Sequence, residues 1–484
     1  MSKERKFIKS FFEFSIGQWM AALISFITTP ITTWLIIPEE FGKASMFTLA
    51  FNLLLNIALL GADQSFVRLF YEKGENKSRD LLWNALIPSL TVGFAAFFLI
   101  GIFWKQLSIV LFGDYNQFLP IFLLGLTILI GTVERFATLA VRMKQRGLAF
   151  STLRVVNGIA NAVFTITYAL FVSRTFHAII VGLFFSQVVS AVLAIYLEKE
   201  LWFGRFKISV GSISEIIKYG LPLVPTFLIT WLFESLDKLA LRNYSDFAEI
   251  GLYSAAFKVV AIMSLIQNAF TTFWIPVSYE SYENDHESTE IYKKTFLFIS
   301  AAMFVLGMLI IVFKDVIFML LAKSYRHAAT ISPFLLLTSI MGTVMYITTI
   351  GISFKKKTYW NVVIVSVPTF TNYLGNIFLV PIYGAKGAAI STGLSYILYF
   401  SIGTFISKKL YPINYHLGKF FSATAIFVVV AFINTFAGSL VWQILSSLVG
   451  LILIVLVYSN EVRYVLDLVV DELRRVKNKA SKKA

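Results

Sequence analysis

Apolar stretches of about twenty residues follow one another from residue 12 to residue 458, parted only by short polar breaks. A bilayer core is about 30 Å thick, and about twenty helical residues cross it. Within hydrocarbon every backbone N–H and C=O must be paired inside the chain, so only helices or a closed barrel can span. Barrel strands would alternate polar and apolar at every second residue. These runs are unbroken instead, so the expected fold class is all-α integral membrane. About fourteen spans are predicted: 12–36, 41–64, 81–103, 117–140, 154–173, 177–197, 218–240, 250–274, 295–314, 331–351, 360–381, 386–407, 419–437 and 440–458. Charged residues are only 14% of the chain, against about 25% in a soluble domain. The first apolar run lacks a small-residue cleavage site, so no signal peptide is expected.

The net charge of +15 invites a nucleic-acid reading, and its placement argues against one. With the N-terminus inside, 31 of the 42 Lys and Arg residues fall on the N-terminus, the inner connections and the tail. That asymmetry is the positive-inside pattern, and it puts both termini in the cytoplasm. The tail carries apolar Val462, Val465, Leu466, Val469, Leu473 and Val476 at helical spacing among basic residues. It is expected to rest on the anionic lipids of the inner leaflet, or else to end as a solvated helix.

The chain also repeats itself at an offset of about 208 residues. Phe41-Gly42 answers to Ile250-Gly251, Tyr71-Glu72 to Tyr279-Glu280, and Leu170–Val172 to Phe378–Val380. The offset carries the first span onto the seventh, and six spans lie between their starts. An even number gives parallel copies, related by an axis along the membrane normal. The expected organisation is an N-terminal six-helix lobe at 1–198, a cytoplasmic linker at 199–217 and a second six-helix lobe at 218–408. Spans 13 and 14 follow at 409–458, then a basic tail at 459–484. Two parallel bundles around a central cavity, plus two extra helices, is the architecture this implies.

Several spans carry polar residues on one face, which marks an interior or wet surface. On the second span these are Ser45, Thr48, Asn52, Asn56 and Asp63. The fourth has Thr127, Gly131, Glu134, Arg135, Thr138 and Arg142; the fifth has Arg154, Asn157, Asn161, Thr165 and Tyr168. The seventh has Thr226, Thr230, Glu234, Asp237 and Lys238; the eleventh has Asn361, Thr369, Asn372 and Asn376. For a single Asn or Thr, helix–helix hydrogen bonding is the plainer explanation. A charge at mid-bilayer costs about 2.5–3.5 kcal/mol even on the lenient insertion scale, so Arg135 and Lys258 stand out. For Arg135 the plainer explanation is pairing with Glu134 or snorkelling. Asp63 and Arg68 read as an interfacial pair. Glu234 lies deeper, and with Asp63 it is a candidate for proton or sodium coupling; no other cofactor is expected. Pro30, Pro222 and Pro225 are expected to bend the first and seventh spans.

No P-loop, HExxH or nucleophile elbow occurs, so direct use of ATP and these hydrolytic chemistries are not expected. The chain has no cysteine, which removes disulfides and thiolate metal sites. Every outer connection is short, leaving no room for a catalytic loop. An enzyme is therefore not expected.

The segment YGLPLVPTFLITWLFESLDKLALRNYSDFAEIGLYSAAFKV, Tyr219–Val259, resembles the seventh and eighth helices of bacterial polysaccharide flippases of the Wzx type. NYLGNIFLVPIYGAKGAAISTGLSY, Asn372–Tyr396, is similar to their eleventh and twelfth. IIPEEFGKASMF and GADQSFVRLFYE frame the second span in the same way. The wider group is the MATE-like superfamily, which includes lipid II flippases and multidrug exporters. The resemblance covers most of the chain and marks the branch, not the cargo. It implies alternating access and an undecaprenyl-pyrophosphate-linked oligosaccharide as cargo, moved across the bacterial cytoplasmic membrane for O-antigen, capsule or exopolysaccharide assembly. A polysaccharide polymerase and other assembly proteins are implied as partners. On that implication and the stripes above, Arg135 and Lys258 face phosphate, and Asn52, Asn157, Asn161 and Asn372 face sugar hydroxyls. A lipid II flippase and a cation-coupled drug exporter are the competing readings.

Overall fold

The computed structural model describes residues 3–74, 77–284, 289–357, 359–464 and 467, and every element in them is helical. Residues 459–464, the start of the expected amphipathic tail, are helical; the rest of that tail lies outside the described residues, apart from Asp467. Among the described residues, twelve helices are long and apolar enough to cross a membrane, and a bent pair adds a thirteenth. One of the twelve, Trp360–Leu410, is two spans joined at Gly384, whose backbone (φ 55, ψ −133) reverses the chain. The total reaches the fourteen expected.

Packing divides the chain into two units, residues 1–258 with 320–325 and residues 259–319 with 326–484. The repeat places its boundary earlier, at 198.

The first unit opens with α1 (Lys3–Leu35), α2 (Pro38–Leu59), α3 (Ala62–Lys73) and α4 (Ser78–Ile102). Then come α5 (Trp104–Phe112), α6 (Phe118–Met143), α7 (Gly147–Phe171) and α8 (Phe176–Leu197). α9 (Lys199–Trp202), α10 (Val210–Gly220), α11 (Val224–Tyr244) and α12 (Phe247–Val260) complete it. α1 lies along α7, α7 along α8, and α6 between α4 and α8. Small residues set these approaches, as expected where lipid gives helices no hydrophobic reason to associate. The Gly17 N–H donates to Ser151 Oγ at 3.0 Å, and a Cβ on Gly17 would overlap Ser151. The second predicted span is two helices. Leu60 and Gly61 both have positive φ, which stops α2 and starts the amphipathic α3.

Two glycine contacts tie α2 to the later helices of this unit. A Cβ on Gly42 would lie 1.9 Å from the Phe247 carbonyl oxygen, and one on Gly251 would lie 1.9 Å from that of Pro38. At the other end, a Cβ on Gly61 would lie 2.3 Å from the Gly220 carbonyl oxygen. Only the bare glycine backbone permits either approach. Gly42 and Gly251 are the pair that the repeat aligns.

The expected linker is folded. After α9, residues 203–209 run without helix along the start of α4. There Asp80 Oδ1 accepts from the Lys207 N–H (2.9 Å) and Asn84 Oδ1 from the Ser209 N–H (2.9 Å). Asn84 Nδ2 donates to the Lys207 carbonyl at 2.8 Å. Phe206 stacks on Trp83 with centroids 4.5 Å apart. α10 then packs on α3 and α4, and Ile216 joins the apolar core built from Leu59, Phe66, Phe70, Phe136 and Trp202. Pro222 lies in a single 3₁₀ turn between α10 and α11, and Pro225 in the first turn of α11. Proline costs little in a first turn, so these two begin a helix rather than bend one. Pro30 lies inside α1.

The second unit holds α13 (Ile262–Asn284), α14 (Glu290–Met319), α15 (Ser332–Thr348), α16 (Ile350–Phe354), α17 (Trp360–Leu410), α18 (Leu417–Phe436) and α19 (Leu440–Val457). α15 is its centre, packed by α13, α14, α17 and α18 and buried along nearly its whole length. The eighth predicted span is broken: α12 and α13 meet at a 43° bend. Polar pairs fasten the helices of this unit. Thr348 and Thr404 hydroxyls meet at 2.7 Å, and Asn434 Nδ2 donates to Ser447 Oγ at 3.0 Å. Buried Lys314 is held by Asp315 (2.8 Å) and Gln443 (2.7 Å).

Candidate functional site

The charges singled out in the first unit fall into two groups at opposite ends of α2. The first group, at the C-terminal end of α2, gathers on α3, α6 and α7. Arg135, on α6, donates from Nη2 (2.8 Å) and Nε (3.1 Å) to Asp63 Oδ2 at the start of α3. Asp63 is buried, and Gln64 Nε2 also donates to it at 2.9 Å. Arg135 keeps 39% of its side chain exposed, so the guanidinium is held on one side and open on the other. Its neighbour Glu134 accepts instead from Thr138 Oγ1 and Ser190 Oγ, both at 2.8 Å. The sequence pairings Glu134–Arg135 and Asp63–Arg68 are thus replaced. The partner comes from 72 residues away, and Arg68 turns to Glu72 at 3.5 Å. Two further arginines complete the group. Arg142 lies seven residues along the same face of α6 and is exposed. Arg154, on α7, is exposed, sits over the Phe150 ring at 5.2 Å, and interacts electrostatically with Glu134, Arg135 and Arg142. Three arginines therefore lie within electrostatic range of Arg154's end of α7, with Asp63 and Glu134 as the acidic neighbours.

The second group, at the N-terminal end of α2, gathers on α2, α11 and α12. Lys258 is exposed and places Nζ 4.8 Å from the Phe41 ring centroid. A cation over an aromatic face is attracted by about 0.5–1 kcal/mol at an accessible site. No acid pairs with it among the described residues; its nearest charged influence is Lys238, which also feels Asp237 and Glu234. Asp237 is buried and accepts from the Tyr253 hydroxyl at 2.5 Å. Glu234 is exposed and makes no hydrogen bond or ion pair among the described residues. From Phe41 to the end of α2 the helix rises roughly 27 Å at about 1.5 Å per residue. Lys258 and Arg135 thus stand near opposite membrane faces and cannot grip one phosphate together.

The asparagines divide. Asn52 is exposed on α2, between the two groups. Asn161 is half-buried with its carboxamide unengaged among the described residues. Asn157 spends its Nδ2 on the Ser186 carbonyl at 3.1 Å, fastening α7 to α8. Asn372, in the second unit, is fully buried. Its Oδ1 accepts from Asn376 at 2.5 Å and its Nδ2 donates to Thr392 at 3.3 Å. It closes the α17 hairpin and, being fully buried, is not accessible to a ligand.

Residues 7–282, more than half of the chain, match the model of the polysaccharide biosynthesis protein family. This chain belongs to that family. No curated protein matches it. Among solved structures it is similar to the lipid II flippase MurJ in an inward closed conformation. That match has TM-score 0.70 and 15% identity over 94% of this chain and 99% of MurJ. It is also similar to an outward-facing MATE transporter of the MOP superfamily, at TM-score 0.55 and 14% identity over 83% and 95% of the two chains. A MATE transporter from Vibrio cholerae follows at 0.53 and 13%, over 84% and 96%. At such identities the likeness shows the fold. This polysaccharide biosynthesis protein is thus a multi-span helical membrane protein with the fold shared by flippases and drug transporters.

Arg142 and Arg154 are the residues that sequence reasoning underweighted. Both stood on polar stripes, but both were counted as inner-loop charges of the positive-inside pattern. The signal was their register with Arg135 and Asn157: seven residues from one, three from the other.

Proposed function

We propose that this protein is a flippase that moves an undecaprenyl-pyrophosphate-linked oligosaccharide from the inner to the outer leaflet of the bacterial cytoplasmic membrane. Its product supplies O-antigen, capsule or exopolysaccharide assembly, and a polymerase and other assembly proteins act on it next. The reading rests chiefly on the arginine group of Arg135, Arg142 and Arg154. A pyrophosphate cannot enter a low-dielectric interior without cations to replace its water. Guanidinium is suited to phosphate because its planar fork binds two oxygens at once. Arg135 and its two neighbours form the inner station for the pyrophosphate, and Lys258 on Phe41 forms the outer one. Asn52 and Asn161 lie free to meet sugar hydroxyls. A cationic-drug exporter would need accessible acids where these arginines stand.

Of the two carboxylates, Asp63 is committed to Arg135, whereas Glu234 is accessible. Glu234 is therefore the group for proton or sodium coupling. Both termini lie in the cytoplasm.

The test is depletion of the protein, followed by measurement of lipid-linked sugar on the inner leaflet and of exported polymer. Accumulation inside and loss of polymer are expected. Restoration by the wild type but not by Arg154→Ala or Arg135→Ala, with both variants inserted normally, supports the inner station. Full export with both variants rejects it.

A further inference from the structure

A recess in the first unit lies away from both charge groups, at the end of the spans where the charge pattern places the cytoplasm. It encloses about 720 Å³ and is walled by Arg79, Asp80, Lys144, Arg146, Arg205 and Lys207, among others. Three separate connections build it: the first turn of α4, the corner between α6 and α7, and the strap that follows α9. All three are inner connections in the charge-derived orientation, so the recess opens at headgroup level.

Its cations are not all spent. Arg79 serves the wall itself: Nε (2.9 Å) and Nη2 (2.5 Å) donate to the Glu200 carbonyl and Nη1 to that of Arg205 (3.3 Å). Lys144 (3.0 Å) and Arg146 (3.2 Å) share one buried carboxylate, Glu198, and so keep a positive charge between them. The side chains of Arg205 and Lys207 have no ion pair or hydrogen bond among the described residues. Asp80 is turned to the Lys207 backbone N–H, leaving Glu200 as the remaining acid of the lining. Phe206 is the aromatic residue of the lining; behind it, it stacks on Trp83, and Trp202 meets Trp83 edge-on at 5.9 Å. The indole N–H groups of Trp83 and Trp202 are buried without a partner among the described residues. Basic recesses between helices on the cytoplasmic side are the form that acidic phospholipid headgroups occupy, and interfacial Trp is suited to the same depth.

We propose that this recess is a site for a phosphate-bearing anion, filled by the headgroup of an acidic inner-leaflet phospholipid. Arg205 and Lys207 grip the phosphate, and Phe206 lies along the glycerol. The volume exceeds that of one phosphate several-fold, which favours a headgroup carrying two. The bound lipid would pin the strap, and with it the start of α10. The site is independent of the transport reading, because none of its residues belongs to either charge group.

The test uses the full-length protein in neutral detergent micelles, titrated with cardiolipin, phosphatidylglycerol, phosphatidylcholine or inorganic pyrophosphate, with thermal unfolding as the readout. Cardiolipin is expected to raise the midpoint most and phosphatidylcholine not at all. Arg205→Gln with Lys207→Gln is expected to weaken apparent cardiolipin binding roughly 30-fold, the weight of two basic side chains near an anionic surface. Lys105→Gln, on the outer side, serves as control and leaves binding unchanged. The midpoint without added lipid reports whether the double variant still folds; if it falls, Lys207→Gln alone is titrated, with roughly a fivefold loss expected. Equal cardiolipin binding by wild type and variant overturns the site. A pyrophosphate response that the variant loses, without a lipid response, overturns the lipid assignment and shows a soluble phosphate ligand instead.

Discussion

Arg135 and Asp63 show how unequal the two ends of an ion pair can be. Asp63 is buried and Arg135 is 39% exposed, so water screens the attraction and the pair contributes about 1 kcal/mol or less. Losing either partner has different consequences. Arg135→Gln strands a buried carboxylate, which costs more than freeing a hydrated guanidinium. In a double-mutant cycle read by thermal unfolding, Arg135→Gln should therefore destabilise more than Asp63→Asn. The coupling should be about 1 kcal/mol or below. A larger penalty for Asp63→Asn would show that Asp63 has a role beyond this pair. The sequence made Arg135 conspicuous through the cost of a buried charge, yet it could not show the partner. Neighbouring Glu134 was the nearest acid along the chain, but a residue one position away on a helix points elsewhere. Asn372 failed for a related reason: a polar stripe marks any non-lipid face, and tight helix packing is as good a reason for one as a wet surface.

At the scale of helices, spans were legible because about twenty apolar residues leave little choice. Their interruptions were less so. The stop after Leu59 depends on positive φ at Leu60 and Gly61, and leucine gives no warning of that conformation. The bend between α12 and α13 has neither proline nor glycine at its break. The linker had the composition of a loop, but Asn84, Asp80 and Trp83 fasten it, and those contacts cross more than 120 residues. Asn84→Ala should release the strap, seen as faster proteolysis within 203–209 and unchanged membrane insertion; unaltered cleavage would mean that other contacts suffice. Glycines give a sharper contrast. Gly42→Ala would set a methyl 1.9 Å from a carbonyl oxygen and should cost about 1–3 kcal/mol as α2 and α12 separate. Gly101, on the same unit, meets nothing within 4 Å, so Gly101→Ala should be neutral or stabilising by up to about 1 kcal/mol.

The whole molecule can be oriented with one simplification that its composition provides. There is no cysteine, so each introduced thiol is read without background. A membrane-impermeant reagent applied outside should label Tyr115→Cys and Arg174→Cys, and spare Lys77→Cys and Phe203→Cys. The reverse pattern would turn the proposed direction of transport around. The proposed orientation comes from charge alone, because Lys and Arg crowd one side. The cargo was not legible in that way, because a cation prefers any phosphate, whatever sugar follows it.

Gly42 touches the residue four before Gly251, and Gly251 touches the residue four before Gly42. Such reciprocity belongs to the isologous interfaces of two-fold dimers, yet here both surfaces belong to a single chain. Two substitutions at this seam should not sum, since the first already parts the helices. Each glycine thus guards its own counterpart, and a gene that drifts in one copy has forfeited the reason to keep the other.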